Sequence, residues 1–171
     1  TPTTLRLHVH PDGDTIHHCY GKASDVLIIN FLEAARRHYS DAELLYTHQR
    51  QANSGQLFGF AAECGLKALL VQHGLPIEAN GDIQRKPATG FREHLPKLAR
   101  LMNNLDTIPD GRNATRYVAM LPNLTRFSDW NIDHRYYATN ALPSTSLPGW
   151  QQAAREIMQA LDNIDIDDVS R

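Results

Sequence analysis

The sequence has little cysteine, no long apolar run and no large excess of one charge. Its two cysteines, Cys19 and Cys64, form neither a disulfide framework nor a CxxC pair. No apolar run reaches the about 18 residues that cross a membrane, and no signal peptide is recognisable. With 17 basic and 19 acidic side chains the formal charge is −2, which argues against a strongly electrostatic nucleic-acid binder. These absences predict a cytoplasmic globular protein.

The common catalytic motifs are missing as well. There is no phosphate-cradling glycine loop, no serine nucleophile elbow and no HExxH pattern. His8, His10 and His17 could share one face of a hairpin, and three imidazoles can hold zinc. A solvated or partner-facing strand explains the same residues, and it is the interpretation we favour. The sequence therefore predicts no metal ion and no cofactor.

The chain divides into a short N-terminal extension and one domain. Residues 1–24 include "LRLHVHPDGDTIHHCY", in which apolar and polar residues alternate on either side of the turn-forming "PDGD". This pattern predicts a β-hairpin. Residues 25–171 follow helical spacing instead and are long enough to bury a core.

In residues 25–171 the spacing of apolar residues predicts two long helices followed by shorter ones. The first is expected over 25–50 with Ser24 as its N-cap, and the second over 55–73, after the polar link "QANSG" and a cap at Asn53 or Ser54. The second helix is apolar nearly all round, which is typical of the central helix of a bundle. Further helices are expected after His94 and around 150–161. The predicted fold is all-α, an antiparallel up-and-down bundle of four to five helices.

The order of these features resembles that of a known family. "ARRHYSDAELL" lies in the first helix, "GFAAECGLKALL" in the second and "HLPKLARL" after the following loop, and the later segment "HRYY" is aromatic and basic. Over about residues 26–165 this arrangement is similar to the HEPN family, named for higher eukaryotes and prokaryotes and for nucleotide binding. The resemblance implies a helical bundle that forms a homodimer. It also implies a toxin–antitoxin or defence context and a nucleotidyltransferase-type partner protein.

Many members of that family are metal-independent ribonucleases. The resemblance implies that their catalytic motif is an Arg, then four to six residues, then a His. The nearest match here is Arg126 before His134, in which seven residues intervene, and Phe127 stands where a polar residue often follows the Arg. The motif is therefore not matched by spacing. If a bend brought the two side chains together, His134 would act as general acid–base and Arg126 would stabilise the phosphorane-like charge.

Glu63 and Lys67 are unexpected in so apolar a helix. Four residues apart, they can form an intrahelical ion pair at the rim of the bundle or along a dimer seam. Alternatively, Glu63 is a partly buried carboxylate that meets a basic group such as Arg135 in a polar cleft. Gly55 and Gly59 continue the same stripe and would let another backbone approach.

The remaining candidate ligand-binding residues lie outside the long helices. His94 either caps or anchors the third helix or contacts a ligand. Near His134, a cluster of Arg135, Tyr136 and Tyr137 suits phosphate contact with base stacking, and it equally suits an ordered loop folded over the core.

The sequence thus predicts an RNA- or nucleotide-binding domain that resembles the HEPN family. A non-enzymatic dimerisation or partner-binding module is one alternative. A metal-independent ribonuclease that uses a stretched Arg126–His134 motif is the other.

Overall fold

The computed structural model describes residues 28–85, 90–106 and 108–169, with side chains as far as Ile164. It contains five α-helices: α1 Phe31–Thr47, α2 Gln51–Gln72, α3 Lys97–Leu101, α4 Gly111–Val118 and α5 Leu147–Val169. Short 3-10 helices join them. In the described residues the β-type pairing is one isolated antiparallel bridge between Ile77 and Ile83. The all-α prediction is confirmed for this part of the chain, whereas the predicted N-terminal hairpin lies outside the described residues.

Helix α1 begins at Phe31, six residues later than predicted. The Asn30 side chain accepts a hydrogen bond from the Glu33 backbone N–H at 3.0 Å and also donates to the Glu33 carboxylate. The first of these bonds satisfies a backbone donor that an α-helix leaves free in its first turn. Asn30, rather than the predicted Ser24, is therefore the N-cap.

Helix α2 begins earlier than predicted, at Gln51, so the "QANSG" segment is helical rather than a link. The turn between the two helices consists of residues 48–50, and Gln49 adopts a positive φ of 57° there. Ser54 is not a cap, because its hydroxyl donates to the Ala42 carbonyl of α1 at 3.0 Å. That bond ties the two helices together near their connection.

Helices α1 and α2 run antiparallel, as predicted. Phe31 contacts Lys67, Tyr39 contacts Phe58 and Ala42 contacts Ser54, so residue numbers rise along one helix as they fall along the other. Their close connection leaves each helix a long face to bury against the other.

Helix α5 completes the bundle by packing against both long helices. It runs antiparallel to α1, since Glu43 bonds Gln151 and Arg36 pairs with Asp162. It runs parallel to α2, as the fourth helix of an up-and-down bundle would. Between α2 and α5, two short α-helices and several 3-10 helices take the place of one long third helix.

Two tryptophans pack against α2 where it has no side chains. A Cβ built on Gly59 would lie 1.9 Å from the Trp130 ring, and one on Gly55 would lie 3.0 Å from the Trp150 ring. The Trp130 indole N–H also donates to the Gly55 carbonyl at 3.1 Å. The glycine stripe therefore admits aromatic rings of the same chain, not the second backbone that the sequence suggested.

The core is continuous along α2. Phe58, Leu66, Leu69 and Leu70 are fully buried, as the apolar pattern of this helix predicts. None of the described helices is long and apolar enough to span a membrane.

Candidate functional site

A buried ionic cluster lies on the middle of α2. The Lys67 ammonium is 2.9 Å from Glu63 Oε1, and His94 Nδ1 is 2.8 Å from the same oxygen. The Leu95 backbone N–H donates to Glu63 Oε2 at 3.3 Å. We call these four groups the Glu63 cluster. The structure thus brings together three of the predicted ligand-binding residues: Glu63, Lys67 and His94.

The cluster is buried rather than at a rim. The side chains of Glu63 and Lys67 are 10% and 9% exposed, whereas that of His94 is 58% exposed. A buried carboxylate is stable only when charged or hydrogen-bonding partners replace the water it has lost. Glu63 has three such partners. The Lys67 ammonium also lies 5.9 Å from the centroid of the Phe31 ring, at the outer limit of a cation–π contact.

The predicted meeting of Glu63 with Arg135 is not what the structure shows. The segment that contains Arg135 is fastened to Gln56, whose side-chain NH₂ donates to the Ile132 carbonyl at 3.2 Å. Gln56 precedes Glu63 by two turns of α2, about 10 Å along the axis. The basic partners of Glu63 are instead Lys67 and His94.

The Glu63 cluster fixes the orientation of the His94 ring. An ionised carboxylate can only accept hydrogen bonds, so His94 Nδ1 is the donor to Glu63. In the neutral ring the other nitrogen, Nε2, is then a hydrogen-bond acceptor. The cluster can therefore present one oriented imidazole at the surface, with Glu63 and Lys67 as its buried supports.

The second candidate site is the segment of residues 132–137. It begins with the 3-10 helix Ile132–Tyr136, where the Asn131 side chain caps the Asp133 N–H at 2.9 Å. Trp130, two residues before it, is 1% exposed and anchors the segment to α2 through its contacts with Gly55 and Gly59. A rigid base thus positions a short exposed turn.

The outer face of this segment consists of Arg135, Tyr136 and Tyr137. The Arg135 guanidinium lies 4.6 Å from the centroid of the Tyr136 ring. The two tyrosines are 74% and 50% exposed. Within the described residues, Arg135 has no carboxylate partner. An unpaired cation and two exposed rings therefore face water together. The exposure of the tyrosines favours the binding interpretation over the alternative of a loop folded over the core, although Tyr137 also contacts the His134 ring.

His134 packs inward. Its ring stacks on Trp150 with centroids 5.8 Å apart, and it also contacts Trp130 and Tyr137. Its Nδ1 atom is buried and has no hydrogen-bond partner in the described part of the chain. Loss of hydration lowers the pKa of His134, although Asp129 and Asp133 act in the opposite direction. The ring is therefore neutral at pH 7.

Arg126 does not join His134 in one cleft. His134 lines a cavity of about 60 Å³ beside Trp150, and Arg126 lines a separate open groove of about 690 Å³. Trp150 contacts both residues, because its ring stacks on His134 and its N–H donates to the Arg126 carbonyl at 3.1 Å. Within one chain, the stretched motif is not assembled.

Gln56 and Trp150 support the second site, a role that the sequence does not indicate for either residue. Gln56 fastens residue 132 to α2, and Trp150 forms the wall behind His134. Their contacts span 76 and 16 residues of sequence, beyond the reach of any local pattern. The one available signal was the apolar spacing that placed Trp150 on the inner face of the last helix.

Outside the two candidate sites, the described residues include one free thiol. Cys64 is a free thiol, and burial together with the charge of Glu63 raises its pKa to about 11, so the thiolate is scarce at neutral pH. No group of three His, Cys, Asp or Glu side chains in the described residues is arranged to hold a metal ion. His8, His10 and His17 lie outside those residues.

Comparison with known protein families, with curated proteins and with solved structures finds no match to this chain. The fold and its sites define an all-α helical domain. Its described residues include the buried Glu63 cluster and the exposed cationic and aromatic surface of residues 132–137.

Proposed function

We propose that this chain is a HEPN-like domain that binds RNA or a nucleotide through residues 132–137. The observation that supports this proposal best is the exposed Arg135 guanidinium over the exposed Tyr136 ring, with Tyr137 beside it. Folding usually buries aromatic side chains of this size, or at least packs them against a neighbour. Here the packed positions belong to Trp130 and His134, and the tyrosines remain open to water.

Such a surface suits a nucleotide because it offers two different contacts at once. The guanidinium can donate two hydrogen bonds to one phosphate. A tyrosine ring can stack on a base, a contact worth about 1–3 kcal/mol per base. Stacking does not depend on base identity, so we expect little sequence preference.

The electrostatics limit how strongly the surface attracts phosphate. His134 is neutral at pH 7, and Asp133 lies within the same 3-10 helix. Arg135 is then the main cation of this surface, and one phosphate contact is expected. The logarithm of the RNA affinity should fall with the logarithm of salt concentration with a slope of about −0.7, the value for one contact to a single strand.

The Glu63 cluster has a supporting role in this proposal. Glu63 and Lys67 are buried and already paired, so they position His94 rather than contact a ligand themselves. His94 can add a hydrogen bond to a longer RNA that extends beyond residues 132–137.

The test is filter binding of a short single-stranded RNA at low salt to the wild-type protein and to Arg135→Ala. We expect the substitution to weaken binding by about ten-fold or more, the worth of a charge-assisted hydrogen bond. The melting temperature should stay nearly unchanged, since the described residues give Arg135 no ion pair and its ring contact is with the exposed Tyr136. The matched control is Arg112→Ala, which removes an exposed arginine on α4, away from residues 132–137 in sequence. This variant should bind RNA as the wild-type protein does.

Failure would take one of two forms. If the wild-type protein binds no RNA or nucleotide, the partner-binding module becomes the better explanation of the exposed tyrosines. If Arg135→Ala and Arg112→Ala weaken binding equally, the RNA contact is a general charge effect and residues 132–137 are not the site.

The wider context of the proposal rests on the family resemblance. It comprises a homodimer, a nucleotidyltransferase-type partner and a toxin–antitoxin or defence system, whereas the cytoplasmic location is proposed from the cysteine pattern and the lack of a recognisable signal peptide. The ribonuclease alternative would require Arg126 of one protomer to meet His134 of another, because the two residues line different cavities within one chain.

A further inference from the structure

A second cavity lies on a different part of the molecule from residues 132–137. It has a volume of about 200 Å³ and lies between α3, the end of α4 and the 3-10 helix Leu124–Asp129. The proposed RNA surface contributes no residue to it. We propose that this cavity binds a small carboxylic acid with a single apolar ring.

The walls of the cavity are apolar over most of their extent. Five apolar residues line it: Pro96, Ala99, Val118, Leu121 and Leu124. They come from three separate segments of the chain that pack together only in the folded protein. Apolar walls with a few polar groups are the usual composition of a small-molecule site.

The size of the cavity selects a small ligand. Its volume of about 200 Å³ is below that of most sites that hold drug-sized molecules. Drug-sized ligands occupy sites of about 300–1,000 Å³. The volume therefore suits a one-ring molecule better than a larger ligand.

The polar groups of the cavity select an anion. Its polar lining consists of Arg100, Asn103, Thr125 and Ser128, all of which can donate hydrogen bonds, and no carboxylate lines it. The Arg100 side chain is exposed and has no acidic partner among the described residues. A guanidinium beside an apolar cavity matches a carboxylate, which it can bind with two parallel hydrogen bonds.

The experiment compares benzoate with benzamide, its neutral analogue of nearly the same shape. Each is titrated into isotopically labelled protein while amide chemical shifts are followed by NMR. Benzoate should shift amides of the residues that line the cavity, with a Kd in the millimolar range or below. Benzamide should bind about ten-fold more weakly, because it cannot form the charge-assisted pair with Arg100.

Two variants assign the contacts. Arg100→Met keeps the apolar stem of the side chain and removes its charge, so it should reduce benzoate affinity to that of benzamide. Ala99→Leu fills part of the cavity and should weaken both compounds. Arg112→Met is the matched control and should behave as wild type does.

The proposal is overturned if benzoate shifts no amide in the cavity at tens of millimolar, or if Arg100→Met binds benzoate as tightly as wild type. Equal affinity for benzoate and benzamide also contradicts it. Arg135→Ala should leave benzoate binding unchanged, so this result and the RNA result fail or succeed independently.

Discussion

Glu63 is the residue whose surroundings most limit what can be changed. Its carboxylate is buried and meets an ammonium, an imidazole and a backbone N–H. Removing one charge from a buried pair leaves the other without compensation, which destabilises a protein more than the loss of an exposed pair does. The cluster therefore makes the fold depend on individual charges.

We predict that Lys67→Met lowers the free energy of unfolding by about 3–5 kcal/mol. The Glu63 carboxylate would stay buried with only His94 and a backbone N–H as partners. Urea unfolding measures the change. The double variant Glu63→Met with Lys67→Met should recover most of the loss, because apolar side chains of similar size remove both charges. A double variant as unstable as the sum of its single changes would contradict this account.

His134 gives the stability of the fold a pH dependence of known sign. Burial lowers its pKa below the value of the unfolded chain, so the unfolded state takes up a proton first as the pH falls. Stability is then complete above the unfolded pKa of about 6.5 and declines as the pH falls below it. The melting temperature of His134→Phe should therefore fall less than that of the wild-type protein between pH 7.5 and pH 5.5. The decline should not vanish, since the pKa of His38 is lowered too. Equal declines in both proteins would show that His134 is not responsible.

Residue-level patterns predicted only the contacts that are close in sequence. The pairing of Glu63 with Lys67 follows from their spacing of four residues on one helix. The third partner, His94, is 31 residues away and reaches Glu63 only through the loop that follows α2. The sequence leaves open whether the pair lies at a rim or is buried, because that depends on what packs over α2.

Among the elements, α2 determines where both candidate sites lie. Its glycines admit Trp130 and Trp150, and these rings hold residues 132–137 against the N-terminal half of the helix. Its middle turns hold the Glu63 cluster. One central helix therefore positions both sites while its leucines form the core.

Gly59→Ala should destabilise the protein by about 1–3 kcal/mol, the usual cost of overpacking, although alanine favours a helix more than glycine does. The added Cβ would lie 1.9 Å from the ring of Trp130, which is itself buried. Gly55→Ala is the graded control, because its nearest contact would be 3.0 Å and the expected loss is smaller. Thermal melts of both variants check the order. A Gly59→Ala protein as stable as wild type would mean that Trp130 is not packed on α2.

Helix existence was predictable from spacing, and helix ends were not. The apolar period located α1, α2 and the last helix. The start of α1 depends on the cap formed by Asn30 and Glu33. As a residue type, Ser24 is an equally plausible N-cap, and the sequence alone does not distinguish the two positions. The polar residues "QANSG" predict a link between two helices. In the structure this segment is helical, and the Ser54 hydroxyl donates a hydrogen bond to the Ala42 carbonyl of α1. Local polarity cannot distinguish these outcomes, because the deciding partner lies on another element.

At the scale of the whole molecule, the bundle leaves apolar groups at its surface. Ile28 and Leu44 are 79% and 58% exposed, in addition to the two tyrosines. Exposed apolar side chains of this kind mark an interaction surface when they cluster. Ile28 precedes α1 and Leu44 lies in its last turn, so a homodimer of the kind that the family resemblance implies could cover one of them without the other.

We predict a two-fold dimer in solution. Light scattering at tens of micromolar should give about twice the chain mass of 19.3 kDa, since a dimer with a Kd near 1 μM is mostly assembled at that concentration. Leu44→Glu should shift the equilibrium toward the monomer if α1 contributes to the interface. A wild-type protein that stays monomeric would contradict the prediction.

The central claim is that residues 132–137 contact RNA, and photo-crosslinking tests it most directly. A short RNA that contains 4-thiouridine is bound to the wild-type protein and irradiated, and the crosslinked peptide is identified by mass spectrometry. Stacking places a base against Tyr136 or Tyr137, so the crosslink should map to one of these residues and disappear in Arg135→Ala. A crosslink that maps only to other parts of the chain, or none at all at low salt, would contradict the claim.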